Sequence, residues 1–168
     1  AALILMSDRL EAMTAGVKAS ASRVPLIYAA TEANADALTA LAKEHKCPLA
    51  AKADTMDALM ALADKISAAG VKDIVLDSGA RTVRRAFEDQ VFIRRAALVA
   101  KNRSLGFPTI TFPCEMTGDT LKESLIAAML IAKYAGIVVV SDFKGENLFP
   151  LLLERLNIFT DPQRPMTV

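Results

Sequence analysis

Six short apolar runs alternate along the chain with longer stretches of helical periodicity. Each run ends in a small cluster of polar or acidic residues: AALILMSD, VPLIYAATE, CPLAAKADT, VKDIVLDSG, FPTITFPCE and GIVVVSD. A repeated strand and helix predicts parallel strands joined by helical crossovers. The pattern therefore predicts an α/β fold whose polar clusters gather at the carboxyl ends of the strands. Proteins of this class bind ligands and partners at that edge.

The predicted strands cover residues 3–6, 26–30, 49–53, 73–76, 109–112 and 137–140. Asp8 is placed to cap the first helix, and Gly79 to allow a sharp exit from the fourth strand. Pro150 is expected to open or kink the last helix, because a first turn accommodates proline. Pro162 and Pro165 predict an extended tail.

Apolar spacing assigns one buried face to each helix. The predicted faces are Ala35, Leu38, Leu41 and Ala42; then Met56, Leu59, Met60, Ala63 and Ile66; then Val83, Phe87, Val91 and Leu98; and finally Leu125, Ala128, Met129 and Ala132. Each face is expected to pack against the sheet.

Six strand–helix units suit either an open sheet or most of an eight-fold barrel. No G-x-G-x-x-G turn of an open doubly wound sheet occurs, and every strand end carries an acid or a hydroxyl. We therefore predict a TIM-type (β/α) barrel with parallel strands in sequential order, forming a single domain over residues 1–168. The chain is shorter than the usual ~200–250 residues, so the barrel is expected to be partial and to lack about two units at its N-terminal side. Two open strand edges would favour a homodimer.

Composition excludes several function classes. The net charge of +1 gives no global field for nucleic acid, and no apolar run approaches the ~20 residues that cross a bilayer. Cys47 and Cys114 have no C-x-x-C spacing, which is typical of reduced thiols in the cytoplasm, and His45 has no second histidine with which to build an imidazole metal site. A basic cluster is interpreted as a solvated, ion-paired helix face, with a docking surface for an acidic partner as the alternative. Its members are Arg81, Arg84, Arg85, Arg94, Arg95, Lys101 and Arg103.

Lys52 is the most unusual residue in any predicted strand. It alternates in phase with Ala50 and Asp54, which would place its amine inside the barrel mouth near Asp54 and Asp77. There it could act as an acid, a base or an imine former, or it could form an ion pair or extend to water.

Carboxylates also follow several strands, namely Glu32, Asp54, Asp77 and Asp142. They could pair as acid and base, bind a cation, or cap helices. No metal-ligand spacing, phosphate-binding loop or nucleophile elbow occurs. The residues alone therefore indicate a barrel domain and leave its role open.

Four segments carry a more specific signal: PLIYAATEANADALTALAKEHKCPLAAKAD, GVKDIVLDSGARTVRRAFEDQVFIRRAAL, LGFPTITFP and NIFTDPQRPMTV. In this order they resemble the large (gamma) subunits of corrinoid iron–sulfur proteins, which belong to the CO dehydrogenase/acetyl-CoA synthase (decarbonylase) system. The resemblance covers essentially the whole chain, and KDIVLDSGARTVRRAFED, FIRRAAL and TDPQRPM are its most distinctive parts.

The resemblance implies a subunit with three parts: a cysteine-bound iron–sulfur domain, a central barrel and a corrinoid-binding domain. Such a subunit takes a methyl group from a methylated tetrahydropterin through a methyltransferase and passes it to acetyl-CoA synthase, and it assembles with a small subunit. Only the central barrel is expected here, because two cysteines cannot hold a four-cysteine cluster. The expected role is therefore a scaffold without a cofactor of its own. Thr31, Asp54, Asp77 and Arg81 are the candidates for facing the corrinoid or a partner.

A second function remains open from the residues. The chain could be an autonomous barrel enzyme that acts on a small anionic or pterin-like substrate with Lys52 and the mouth carboxylates. A third possibility is a purely structural module that docks subunits.

Overall fold

The structure is a computed structural model, and it describes residues 2–158. Strands and helices alternate along the described chain. In chain order they are β1 (Ile4–Met6), α1 (Leu10–Ala19), β2 (Leu26–Ala30), α2 (Ala35–His45), β3 (Leu49–Lys52), α3 (Met56–Ala68), β4 (Ile74–Asp77), α4 (Val83–Leu98), β5 (Ile110–Thr111), α5 (Thr120–Ala132), β6 (Ile137–Val138) and α6 (Gly145–Ile158). This order confirms the α/β prediction. The tail predicted at Pro162 and Pro165 lies outside the described residues.

All strand pairings within residues 2–158 are parallel. The first four strands form one sheet in the order β1-β2-β3-β4, and β5 pairs with β6 in a second sheet. Sequential parallel order is therefore confirmed for the larger sheet. A closed barrel is not among these pairings, so the TIM-type barrel remains a proposal.

The chain forms two compact units. The first contains everything up to Gly79 together with Ala96–Pro108, and the second contains Ala80–Arg95 and the residues from Thr109 onward. The candidate chemistry of the first four strand ends therefore lies in the first unit, whereas Arg81 belongs to the second.

The first unit has its core between the larger sheet and helices α1, α2 and α3, each of which contacts the strand before it. Leu49 pairs with Ile27 on one side and Ile74 on the other, and Ala51 pairs with Leu76. These side chains share one sheet face, because alternate residues of a strand point the same way. They are almost completely buried. The other face carries the side chains of Tyr28, Lys52 and Asp77.

Helices α2 and α3 bury the faces that their apolar spacing predicts. Leu38, Leu41 and Ala42 are buried on α2, as are Leu59, Ala63 and Ile66 on α3. The period of 3.6 is a strong signal in these helices because their outer positions are charged or small.

The buried face of α4 was predicted wrongly. Val83 and Leu98 are exposed, and the buried residues are Ala86, Gln90 and Ile93. Gln90 can be buried because its side-chain oxygen accepts a hydrogen bond from the Thr109 hydroxyl at 2.9 Å. A polar and a small residue thus occupy the inner face, which hydrophobicity alone does not reveal.

Helix α5 also turns a different face inward. Ala127, Leu130 and Ile131 are buried, whereas Leu125, which was predicted to pack, is 64% exposed. Apolar residues surround most of this helix, so its periodicity cannot select a face. The packing partners decide it: Leu130 packs with Ala86, and Ile131 packs near Leu151 of α6.

Helix ends show two further corrections. Asp8 does not cap α1: Arg9 occupies the cap position without a side-chain cap, and the Ser7 hydroxyl accepts a hydrogen bond from the Arg9 amide. Pro150 does not open α6, because that helix begins at Gly145 and continues past the proline, and the predicted alternative of a kink at Pro150 stays a prediction. Among the described helices, none is long and apolar enough to cross a membrane.

The N-terminal cap of α3 is Thr55, whose hydroxyl oxygen accepts a hydrogen bond from the Ala58 amide at 3.3 Å. Replacing Thr55 with alanine is expected to lower the free energy of unfolding by about 1 kcal/mol, because a first-turn amide loses its acceptor. Urea unfolding measures the change. Thr55→Ser keeps the acceptor and should stay within about 0.5 kcal/mol of the parent chain. Equal losses for alanine and serine would contradict the cap.

Candidate functional site

An open cavity of about 650 Å³ lies in the first unit where β2 and β3 end. The segment after β2 contributes Thr31 and Glu32, and the end of β3 contributes Lys52 and Asp54. Helix α3 completes the wall with its small residues and with Lys65. The structure thus brings together several of the residues that were singled out as mouth chemistry.

Asp77 ends β4 and is 1% exposed. Its carboxylate accepts a hydrogen bond from the Tyr28 hydroxyl at 2.5 Å and another from the Gly79 amide at 2.8 Å. The charge is thus held by neutral donors inside the unit, which is how a buried carboxylate is stabilised. Asp77 is therefore buried at the end of β4 and does not line the cavity.

Gly79 has a φ of 69°, in the left-handed region that glycine adopts without strain. A Cβ atom at this position would lie 2.5 Å from the Asp54 carboxylate oxygen and 3.2 Å from the Ala53 carbonyl oxygen. The loops after β3 and β4 therefore touch at Gly79, and the predicted sharp exit from β4 is confirmed.

Lys52 pairs in register with Asp77, so the two side chains leave the same face of the sheet. The Asp77 carboxylate is nevertheless occupied by Tyr28 and Gly79. Within residues 2–158, the Lys52 amine has neither an ion-pair nor a hydrogen-bond partner. The predicted ion pair of Lys52 with an aspartate is therefore not formed, and the half-buried amine borders the cavity.

Arg81 is engaged within the second unit. Its Nε donates to the Glu115 carboxylate, one of its terminal nitrogens donates to the Ala80 carbonyl at 3.0 Å, and its guanidinium lies 4.4 Å from the centre of the Phe112 ring. These contacts fix the side chain at the start of the loop after β4. Arg81 belongs to a different compact unit from Thr31, Asp54 and Asp77.

Two arginines of the basic cluster form ion pairs along α4, as the interpretation of a solvated helix face predicted, whereas a docking surface for an acidic partner stays a prediction. Arg84 pairs with Glu88 at 2.9 Å, and Arg85 pairs with Asp89 at 3.6 Å, each four residues along the helix. The guanidinium carbon of Arg94 lies 3.2 Å from the centre of the Tyr134 ring.

The sequence did not predict the contacts of two further side chains, Tyr28 and Glu123. Tyr28 holds Asp77, and the buried Glu123 of α5 accepts hydrogen bonds from the Ser141 amide and hydroxyl, both at 2.5 Å. Glu123 thereby ties α5 to the turn after β6. Tyr28 could have been noticed in the sequence, because its position in β2 predicts the same sheet face as Lys52 in β3. Glu123 could not, because a glutamate is an ordinary residue in a helical pattern.

The residues described do not fit an iron–sulfur cluster. No group of three or more potential metal ligands occurs in residues 2–158, and the sequence has two cysteines where such clusters take four thiolates. The cavity has a volume typical of sites for drug-sized molecules.

The thiols are also poorly suited to ligate metal. Burial raises the pKa of the Cys47 thiol above its ordinary value, and burial together with the Glu115 and Glu123 charges does the same for the Cys114 thiol. Because the folded-state pKa values are raised, the stability contributed by the neutral thiols is present at pH 7. It is lost as the pH rises through those values.

We expect both thiols to react with a disulfide reagent at pH 8 at least about tenfold more slowly than in the urea-unfolded chain. The rate should rise steeply above pH 9, and the partly exposed Cys114 should react before the buried Cys47. Stopped-flow absorbance measures the two rates. Equal reactivity in folded and unfolded chains at pH 8 would contradict the burial of the thiols.

A family model, described as the CO dehydrogenase/acetyl-CoA synthase delta subunit, matches residues 1–168. The chain belongs to this family. The corrinoid/iron-sulfur protein large subunit of Moorella thermoacetica is 44% identical over 166 residues, which cover 99% of this chain and 37% of that protein. The acetyl-CoA decarbonylase/synthase complex gamma subunits of Archaeoglobus fulgidus and Methanopyrus kandleri are 32% and 30% identical, with 99% of this chain and 38% of each relative covered. The chain thus spans less than two fifths of the length of these relatives.

The resemblance read from the sequence is confirmed by this membership. The relatives named above are large or gamma subunits, as the sequence suggested, although the family model is described by a delta subunit.

Proposed function

We propose that this chain is the barrel scaffold domain of a corrinoid iron–sulfur methyl carrier. The complete carrier passes a methyl group from a methylated tetrahydropterin to acetyl-CoA synthase in the acetyl-CoA pathway. The similarity to the large subunit from Moorella thermoacetica, over 99% of this chain, is the observation on which the proposal rests. The corrinoid and the iron–sulfur cluster belong to other parts of the longer polypeptide.

The fold is consistent with a passive scaffold. Parallel strands in sequential order suit a piece of a TIM-type barrel, within one domain over residues 1–168 of a multidomain subunit. The buried carboxylates of Asp77 and Glu123 serve the chain's own turns, by holding Gly79 and Ser141 respectively. Each compact unit thus uses a buried carboxylate to hold one of its own loops.

The partners of the complete carrier would be the small subunit, the pterin methyltransferase and acetyl-CoA synthase, in the cytoplasm. Thr31 and Asp54 are the best placed of the four candidates for contact with the corrinoid-bearing part or a partner, because both border an open cavity. Arg81 presents a guanidinium that Glu115 and Phe112 hold in place, whereas the buried Asp77 is bound to Tyr28.

The intact polypeptide that carries these residues provides the test. Purified anaerobically, it should contain cobalt and iron, and it should accept a methyl group from a methylated tetrahydropterin when the methyltransferase is present. Asp54→Asn in that polypeptide should leave the cobalt and iron content unchanged and slow methyl transfer. An intact polypeptide without cobalt would refute the assignment.

The isolated chain should also form a homodimer through open sheet edges, because β1 pairs on one side alone within the described sheet. Sedimentation at high concentration measures this, and a strictly monomeric chain would exclude the dimer.

An autonomous barrel enzyme remains the second candidate, and the observation that favours it is the unpaired Lys52 amine beside a cavity. Its substrate would be small and anionic or pterin-like, and Lys52 with the mouth carboxylates would carry the chemistry. Lys52→Ala distinguishes the two functions: any turnover by the parent chain that this variant lacks supports the enzyme, whereas a parent chain without activity excludes it.

A further inference from the structure

The cavity beside β2 and β3 has features that a scaffold does not require. Its volume of about 650 Å³ lies within the range of small-molecule sites. Alanines occupy most of its apolar wall, at positions 33, 35, 58 and 61, so the space is left open by small side chains. A larger residue at these positions would reduce the volume of the cavity.

Two lysines line the cavity, and one of them has no counter-ion among the described residues. Lys52 is half-buried and lacks a carboxylate or hydrogen-bond partner among residues 2–158, whereas the other lining lysine, Lys65, is paired with Asp36 at 2.7 Å. An amine that borders a cavity without a counter-ion gains free energy from an anion within reach. Thr55 and Ala58 at the start of α3 border the same space, where the helix dipole favours negative charge and the Asp57 carboxylate of the same turn opposes it.

Negative charge lines another part of the wall. Glu32 and Asp54 both border the cavity and are exposed. Carboxylates accept hydrogen bonds and repel anions, so they would favour donor groups such as amines or amides. The wall therefore combines an unsatisfied cation with acceptors, separated by apolar alanines.

We propose that this cavity binds a small molecule that joins an anionic group to a hydrogen-bond donor across a short apolar spacer. The anionic group lies against Lys52 and the first turn of α3, and the donor lies against Glu32 and Asp54. This site shares Asp54 with the contact surface proposed above, but neither a cofactor nor a partner is needed to form it.

Three matched probes test the proposal on the full 168-residue chain. 4-Aminobutyrate carries both groups, butyrate carries the anion alone, and butylamine carries the donor alone. We expect 4-aminobutyrate to bind with a millimolar Kd, at least about fivefold more tightly than either of the others. NMR titration measures the three constants and reports whether the amides of the lining residues shift.

Two variants and a control locate the binding. Lys52→Met keeps the length of the side chain and removes the charge, so it should weaken 4-aminobutyrate at least about tenfold. Ala61→Leu puts a bulkier side chain into the cavity wall without changing charge and should weaken binding of all three probes at least about fivefold. Lys72→Met, an exposed lysine just before β4 that does not line this cavity, should leave the Kd unchanged.

Three results would contradict the proposed site. If none of the probes shifts a lining residue at 20 mM, a concentration of about twenty times a millimolar Kd, the site does not exist. Equal Kd values for the parent chain and Lys52→Met would overturn the role of the amine. If Lys52→Met did not fold by circular dichroism, unchanged binding in Ala61→Leu would still refute the site.

Discussion

Replacing Asp77 with alanine is expected to lower the free energy of unfolding by about 2–4 kcal/mol. The carboxylate is almost completely buried, and it accepts hydrogen bonds from the Tyr28 hydroxyl and the Gly79 amide. Alanine would leave both donors without this acceptor in a place that water does not reach, and each unsatisfied donor is destabilising. Urea unfolding followed by circular dichroism measures the difference.

Two controls isolate the contribution of the carboxylate. Asp73 is exposed just before β4, and Asp73→Ala should change stability by less than about 0.5 kcal/mol. Tyr28→Phe should lower stability by about 1 kcal/mol, and its combination with Asp77→Ala should lose less than the sum, because the two residues share one hydrogen bond. Strict additivity, or an Asp77 variant as stable as the Asp73 variant, would show that the bond contributes nothing.

Gly79→Ala is expected to destabilise the chain by about 2–3 kcal/mol. Two effects combine: the φ of 69° strains any residue with a Cβ atom, and that atom would lie 2.5 Å from an Asp54 oxygen. The neighbouring Ala53 carbonyl, at 3.2 Å, belongs to the backbone and cannot simply rotate away. Thermal and urea unfolding both measure the loss.

Gly118→Ala is the matched control. Nothing lies within 4 Å of a Cβ atom at that position and its φ is not positive, so the change should be neutral or slightly stabilising. A Gly79 variant that unfolds at the same urea concentration as the Gly118 variant would disprove both the strain and the contact with Asp54. Asp54→Gly combined with Gly79→Ala should recover part of the loss, which separates the contact from the strain.

The outcomes for individual helices show where hydrophobic spacing is informative. Leu59, Ala63 and Ile66 are buried as predicted because charged residues mark the outer side of α3. The same reasoning fails on α5, where Leu125 is exposed although it is as apolar as the buried Leu130. The 3.6-residue period identifies the buried face of a helix only where the opposite face is polar, and a helix that is apolar on most sides lacks this difference.

The candidate site shows the same division between residue and environment. Thr31, Asp54, Asp77 and Arg81 were chosen because they follow strands, and the structure gives them different surroundings. Thr31 and Asp54 border the cavity, Asp77 is buried at the end of β4 without lining it, and Arg81 lies in the other compact unit. Lys52, which was chosen for its strand phase, does border the cavity but lacks the aspartate partner that one interpretation assigned to it.

The sequence by itself determined the α/β class, the alternation of strands and helices, the parallel crossovers and the family, because each depends on local period or on ordered similarity along the chain. Tertiary structure alone decided that Tyr28 holds Asp77, that Gln90 and Glu123 are buried, and that Lys52 is left without a counter-ion. These outcomes depend on which polar groups meet after the chain has folded. Hydrogen-bond partners distant in sequence, such as Tyr28 and Asp77, leave no periodic signal in a single chain.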